Sequence, residues 1–437
     1  MAGRDKRRRA APLEGDEQQL RRRLEEAALL LRRIKGLVRW IVEEVAAGRS
    51  PSIVLHRYRN YCSSADSASP SPWFSFRARS RDHLLPDQFT VTSLEQFSPK
   101  CVTSVDPGRA LVRDCSACSY DIPVGTDVLS LLHKDYHTSR LNVLLRVLFV
   151  VQQLLQQNKH CSKRDIYYMY PSIFVEVAVV DRAINDICIL FKCSRHNLNV
   201  VPVVKGLVMG WIRFMEGEKK VYCITSVNAA FSIPVDIEAI KDVVSVAHYI
   251  LVVEKETVFQ RLANDKFCER NRCIVITGRG YPDIPTRRFL RYLVELLHLP
   301  AYCLVDSDPY GFDILATYKF GSLQLAHDAN LLRVPDIRWL GVFTSDFEEY
   351  CLPDCCLLRL SPEDRRKAEG ILARCYLHRE APEWRSELEA MLQKGVKFEI
   401  EALSANSISF LSHEYIPQKI KQAASNYCSR PFLEQAA

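Results

Sequence analysis

No uninterrupted apolar run in the 437 residues reaches the roughly 18 that a membrane span needs. The chain also opens on charge and not on the apolar segment of a secretion signal. These absences lead us to expect a protein that is neither secreted nor membrane-embedded, with no membrane partner. Cysteine is plentiful at 16, but the spacing of a disulfide framework is missing, and Cys188, Cys273 and Cys303 sit inside apolar segments as reduced core thiols do. A reducing compartment is expected. A strong charge of one sign is lacking as well: 59 Lys and Arg against 52 Asp and Glu leave +7, which permits nucleic acid as a partner without predicting it. What is present, 48% hydrophobic and 25% charged residues, is ordinary for a globular chain of two or three domains.

The basic run Arg4 to Arg9 reads either as a nuclear-import signal or as a solvated tail. From Gln18 to Ala47 one long helix is expected, with Leu24, Ala27, Leu31, Ile34, Val38, Ile41 and Val45 at steps of three and four. Leu30, Leu37 and Val42 widen that stripe beyond a coiled-coil seam, so it either packs on its own domain or docks on another subunit. Residues 63–137 carry the Ser/Pro stretch "SSADSASPSP" and no sustained period, and are expected to be a low-order insertion. Their single CxxC, Cys115 and Cys118, has no second pair at zinc spacing and reads as incidental.

Next comes an apolar helix over Leu141–Gln157 and then a short one over Arg164–Met169, which Ser162 and Asp165 start as a variant capping box. A third amphipathic segment, "VDRAINDICILFKC", follows, and "LNVVPVVKGLVMGWIRF" reads as two strands about a Lys205-Gly206 turn. Three helices and a hairpin are the order of a winged helix-turn-helix, a DNA-docking module. Beyond it "VAHYILVVEKETVFQRLAND", "RCIVITGRGYP" and "AYCLVDSDPYGFDILATY" alternate strand with helix and predict a largely parallel sheet. The expected fold class is thus α/β and α+β multidomain. Its segments are a basic tail (1–16), an N-terminal helix region (17–62), the insertion (63–137), a winged-helix domain (138–240) and a Rossmann-like domain (241–437).

Glu254 ends the first α/β strand, and Asp306 and Asp308 end the third, where ligands of open α/β sheets collect. Each alone is a cap or turn residue as readily as a ligand. Together they repel, a divalent cation relieves that repulsion, and an all-oxygen donor set favours Mg2+, or Mn2+, over zinc. Gly278-Arg279-Gly280 either brings backbone close to phosphate or is simply a turn. In "CSKRDIYYMYPSIF", Arg164 and Tyr168 share a helix face and Tyr167 is turned away by about 100 degrees. Arginine beside tyrosine can hold a phosphate and favour a phenolate whose ordinary pKa is near 10, so Tyr168 is the better nucleophile of the two; packing in the helix-turn-helix core is the ordinary alternative, and it is the reading of Tyr167. Tyr170, next to Pro171, is read as structural.

"SKRDIYY", "VVEKETVFQRLAND", "VITGRGYPD" and "DSDPYGFDIL", in this order and spacing, closely resemble the meiotic DNA double-strand-break transesterases related to the A-type chain of topoisomerase VI, most of all the plant members. The resemblance runs from about Leu141 to near the C-terminus. It implies a winged-helix domain with catalytic Tyr168 and supporting Arg164, and a Toprim domain holding Mg2+ on Glu254, Asp306 and Asp308. The implied class is the ATP-hydrolysing type IIB topoisomerases. The implied partners are duplex DNA, a second A-type chain (the same or a paralogue) and a topoisomerase VI B-like subunit, and the implied place is the nucleus. Lys163, Lys255 and Arg279 are the candidate DNA-binding cations. The 63–137 segment is longer than this family leads one to expect, as an alternative exon or gene-model artefact would be.

Overall fold

Parallel strands buried on both faces must be apolar throughout, and three segments meet that condition: Tyr249–Val253, Cys273–Thr277 and Ala301–Leu304 are buried at every position. The computed structural model describes residues 14–62, 122–131, 135–224 and 230–428. The basic run at residues 4–9, the Cys115/Cys118 pair and most of residues 63–137 lie outside them. The described residues divide into two compact units. The first takes in 14–56 and 126–201, and the second takes in 57–62, 122–125 and 202–428.

The first unit contains α1 (Glu14–Ala46), β1 (Ser52–Arg57), β2 (Gly125–Ser130), α2 (Asp135–Gln157), α3 (Lys163–Met169), α4 (Pro171–Phe174) and α5 (Val177–Phe191). β1 and β2 form a two-stranded sheet, so the end of the expected low-order insertion is ordered. α2 and α5 supply the core. Leu144, Val147, Leu148 and Val151 pack with Val180, Ile184, Ile187 and Phe191, and Arg140 closes the pair with a bidentate bond to Asp186, 2.9 Å at its shortest.

The stripe on α1 splits. Leu30, Ile34, Leu37 and Ile41 are buried in this unit's own core, whereas Leu24, Val38, Val42 and Val45 are exposed. A helix turning about 100 degrees per residue cannot keep a 3.5-residue stripe on one face along its whole length, and here the buried face runs 30-34-37-41.

The second unit holds β3 (Leu207–Gly210), β4 (Ile212–Glu216), β5 (Lys219–Tyr222), β6 (Phe231–Ser232), β7 (Ile240–Ser245), β8 (Tyr249–Val253), α6 (Glu256–Asn264), α7 (Phe267–Asn271), β9 (Cys273–Thr277), α8 (Ile284–Leu297), β10 (Ala301–Leu304), α9 (Pro309–Phe320), α10 (Ala329–Leu332) and β11 (Arg338–Gly341). After these come α11 (Asp346–Glu349), β12 (Leu358–Arg359), α12 (Pro362–Leu372), α13 (Cys375–Arg379), α14 (Pro382–Lys394), β13 (Val396–Lys397) and α15 (Ile416–Cys428). The main sheet has the order β11-β10-β8-β9-β3-β6, with β8 to β11 parallel, and a second sheet has the order β5-β4-β7. Strand alternation divides the core in two: Ile250, Val252, Ile274, Ile276 and Cys303 face one layer, and Leu251, Val253, Val275 and Leu304 face the other.

The hairpin expected about Lys205-Gly206 is absent. Residues 201–206 carry no strand, and β3 pairs antiparallel with β9 in the main sheet. The turn that does close a hairpin lies between β4 and β5, where Gly217 takes a positive φ of 59°. The strands of 207–245 therefore count with the second unit.

Ile34 is fully buried and Val42 is 60% exposed. Ile34→Ala is expected to cost about 2–4 kcal/mol and Val42→Ala less than about 0.5 kcal/mol, read as midpoint shifts in urea unfolding of the full chain.

Candidate active site

In the first unit α3 starts where the sequence places it. Ser162 accepts from the Asp165 amide at 3.2 Å and Asp165 accepts from the Ser162 amide at 2.7 Å, a complete capping box. Ile166 is buried beneath the helix and pins its rotation. Successive residues then point different ways. The Tyr167 hydroxyl donates to the Val175 carbonyl at 3.3 Å, while Tyr168 is 73% exposed and touches Tyr167 only edge-on, with centroids 5.1 Å apart. Arg164, four residues before Tyr168, is exposed and makes no ion pair or side-chain hydrogen bond among the described residues. Lys163 is engaged: its ammonium lies 2.9 Å from Asp181, which Arg195 also holds at 3.0 Å. Tyr170 packs edge-on to Phe174 under the guanidinium of Arg146.

In the second unit the strand ends are in step. Val253 pairs with Thr277 on one side and with Leu304 on the other, so Glu254 lies level with Gly278 and Val305. The carboxylate of Glu254 accepts from the Asp306 amide at 2.9 Å, while its carbonyl accepts from Thr277 Oγ1 at 3.2 Å and from the Gly280 amide at 2.9 Å. One residue thus joins the acidic motif to the glycine turn. Arg279, in that turn, adopts a left-handed φ of 52° and pairs with Glu256 at 2.9 Å.

Asp308 is the N-cap of α9 and accepts from the Gly311 amide at 2.6 Å. Asp306 is held on both oxygens: Oδ1 accepts from the Ile400 amide at 2.9 Å, and Oδ2 lies 2.8 Å from the Lys255 ammonium. Lys255 also contacts Glu399 and Glu401, each at 2.9 Å. Gly311 is required by the close approach, because a Cβ there would stand 2.6 Å from the Asp306 carbonyl and 3.0 Å from Glu254 Oε2.

Burial raises all three acids. For Glu254 the charge of Asp306 adds to the effect of burial; for Asp306 the bonds from Lys255 and Ile400 oppose it; for Asp308 the Gly311 amide opposes it. Burial alone would lower the Lys255 ammonium, but Asp306, Glu401 and Glu399 outweigh it and raise it.

The expectation that the three carboxylates converge is met only in part. They share one strand-end region, yet each has its own protein partner, and no group of three or more His, Cys, Asp or Glu among the described residues is gathered to hold a cation. The donor set nevertheless fits a hard divalent ion, being all oxygen and at least half-buried, with Lys255 the one ammonium paired to it among the described residues. Glu399, Ile400 and Glu401 were not singled out from sequence. The alternation in "FEIEAL" would suggest an extended segment, whereas Ile400–Ala405 form a 3-10 helix with Glu399 at its start, so no sequence signal marked these residues.

Known proteins carry the same two regions. The family model for the Toprim domain shared by Spo11 and the A-type chain of topoisomerase 6 matches residues 249–420, and the model described as "Type IIB DNA topoisomerase" matches residues 139–200. "Meiotic recombination protein SPO11-1" of Oryza sativa subsp. indica is 77% identical over 422 residues, 97% of this chain and 99% of that protein. The protein of the same name in Arabidopsis thaliana is 53% identical over 92% of this chain and 98% of its own length.

The chain belongs to the Spo11/topoisomerase 6 A-type family. A second Arabidopsis relative, the A-type chain of DNA topoisomerase 6, is 36% identical over 64% of this chain and 65% of its own length. The rice relative aligns over 97% of this chain, a span that takes in most of residues 63–137. The family's Toprim domain coincides with the parallel part of the main sheet and with the strand-end acids, and no helix among the described residues is long and apolar enough to cross a membrane.

Gly311→Ala is expected to lose about 1–3 kcal/mol of stability through the backbone contact. Gly370→Ala, within α12 where a Cβ meets nothing inside 4 Å, is expected to gain about 0.5–1 kcal/mol, both measured by thermal unfolding.

Proposed function

We propose that this chain makes DNA double-strand breaks in meiosis by transesterification, with Tyr168 as nucleophile. The contrast between adjacent tyrosines carries the reading. On a helix capped at its start and pinned from beneath, Tyr167 spends its hydroxyl on the backbone while Tyr168 presents its own to solvent. The near full-length matches to the two plant proteins named SPO11-1, at 77% and 53% identity, support the meiotic role over that of a strand-passing topoisomerase, matched at 36% identity.

The Tyr168 oxygen attacks a backbone phosphorus of duplex DNA. Its phenolic proton is released to solvent, the bond between phosphorus and the 3′ oxygen breaks with its electron pair on oxygen, that oxygen takes a proton from solvent, and the products are a 5′-phosphotyrosyl link and a 3′-hydroxyl. One phosphodiester replaces another, so cleavage needs no nucleotide. Arg164, unpaired among the described residues, steadies the charge that builds on the phosphorane oxygens. Glu254, Asp306 and Asp308 would hold a divalent cation, magnesium or manganese, which when bound would supply positive charge near the DNA backbone or the 3′ leaving oxygen. Lys163, Lys255 and Arg279 sit in ion pairs with acids, so a DNA role for any of them requires that phosphate compete with a carboxylate.

The arrangement of α2, α3 and α5 with the two-stranded sheet supports a winged-helix reading of the first unit, with β1 and β2 in place of the expected wing. One tyrosine per chain cuts one strand, and the family acts on DNA as dimers. The partner chain is a second copy or a paralogous A-type chain, and the exposed Leu24, Val38, Val42 and Val45 offer a docking face to a B-type partner. The nucleus is the place where such a reaction has its substrate.

The test is recovery of protein-linked DNA from meiotic cells. Wild type and Tyr167→Phe are expected to carry short 5′-linked DNA and Tyr168→Phe none; an adduct that persists in Tyr168→Phe rules the assignment out.

A further inference from the structure

Lys255 is the N-terminal flank of α6, directly after Glu254, and its ammonium touches three carboxylates at once: Asp306 Oδ2 at 2.8 Å, Glu399 Oε2 at 2.9 Å and Glu401 Oε2 at 2.9 Å. The three differ in how much they need it. Asp306 is only 7% exposed, so water cannot screen its charge, whereas Glu399 and Glu401 are 57% and 41% exposed. The acids on the far side are also held in place. Thr257 Oγ1 donates to Glu401 Oε1 at 2.7 Å, and Ile400, between the two, donates its amide to Asp306. The 399–401 segment therefore grips one oxygen of Asp306 directly and reaches the other through Lys255.

We propose that Lys255 is a built-in counter-ion that competes with the divalent cation for Asp306, and that Glu399 and Glu401 are the place to which its ammonium retires when the cation binds. This rests on the reading of Glu254, Asp306 and Asp308 as the cation site. Loading then exchanges one positive partner of Asp306 for another. The ammonium keeps two carboxylates and never faces the incoming cation unpaired, and the affinity measured for the cation is a difference between two ion contacts. Lys255 acts here as a positioning residue.

Three variants of the full-length chain, titrated with Mn2+ and followed by the electron paramagnetic resonance of free Mn2+, test this. Lys255→Met is expected to bind Mn2+ on the order of tenfold more tightly, and Glu399→Gln with Glu401→Gln on the order of tenfold more weakly, since the ammonium then has only Asp306. In the Lys255→Met background the glutamate changes are expected to lose most of their effect, because they act through the ammonium. Fully additive effects, or a Lys255→Met variant that binds Mn2+ no better while losing DNA affinity, overturn the proposal and leave Lys255 as a phosphate contact. Asp308→Asn separates the two levels: if it leaves Mn2+ binding unchanged, the cation-site reading itself fails and the proposal with it. Lys255→Gln serves in place of Lys255→Met if thermal unfolding shows that the latter is not folded.

Discussion

A carboxylate shut away from water must be met by donors or by positive charge, and Asp306 is the acid at which the second unit is organised around that demand. Its amide goes to Glu254, one oxygen takes an amide from Ile400, and the other takes Lys255. Through Glu254 the same knot reaches the glycine turn after β9, and through Ile400 it reaches a segment 94 residues further along the chain. The buried parallel strands make this possible by delivering three strand ends in register, so that each motif arrives beside the others without a long loop to order.

The parallel sheet was legible in the sequence because burial on both faces leaves no alternative to continuous apolar strands at 249–253, 273–277 and 301–304. The capping box at Ser162 was legible because its chemistry is local, two side chains and two amides within four residues. The strand at Leu207–Gly210 was placed in the wrong partnership for the opposite reason. Four apolar residues read the same whether they pair with a neighbour in sequence or with Cys273–Thr277, and only the tertiary structure decides. The α1 stripe was legible in part: the sequence names the buried Leu30, Ile34, Leu37 and Ile41, but two apolar faces on one helix overlap in a list of spacings and separate only when one of them is buried.

Of the site, the position of Glu254, Asp306 and Asp308 after the strands and the different directions of Tyr167 and Tyr168 follow from spacing and helix geometry. What spacing does not carry is who satisfies whom. Asp308 spends an oxygen on a helix cap, and Lys163 and Arg279 are already matched to acids. The cap is local, but the partners of Lys163 and Arg279, Asp181 and Glu256, and those of Lys255 and Asp306 in the 399–401 segment are distant in sequence.

That distance has a bearing on how the gene product tolerates shortening. A chain that stopped at Phe398 would still contain every motif quoted for this family and all of the main sheet. It would lack the amide of Ile400 and the carboxylates of Glu399 and Glu401, so the Asp306 carboxylate would keep one of its two partners and Lys255 would have a single acid to hold. The quoted motifs and the groups that satisfy their strand-end acids thus lie in separate stretches of the chain. The later stretch also brings Ile400, Leu403, Leu411, Tyr415 and Ile416 to one face of the sheet, so its loss strips both charge partners and core.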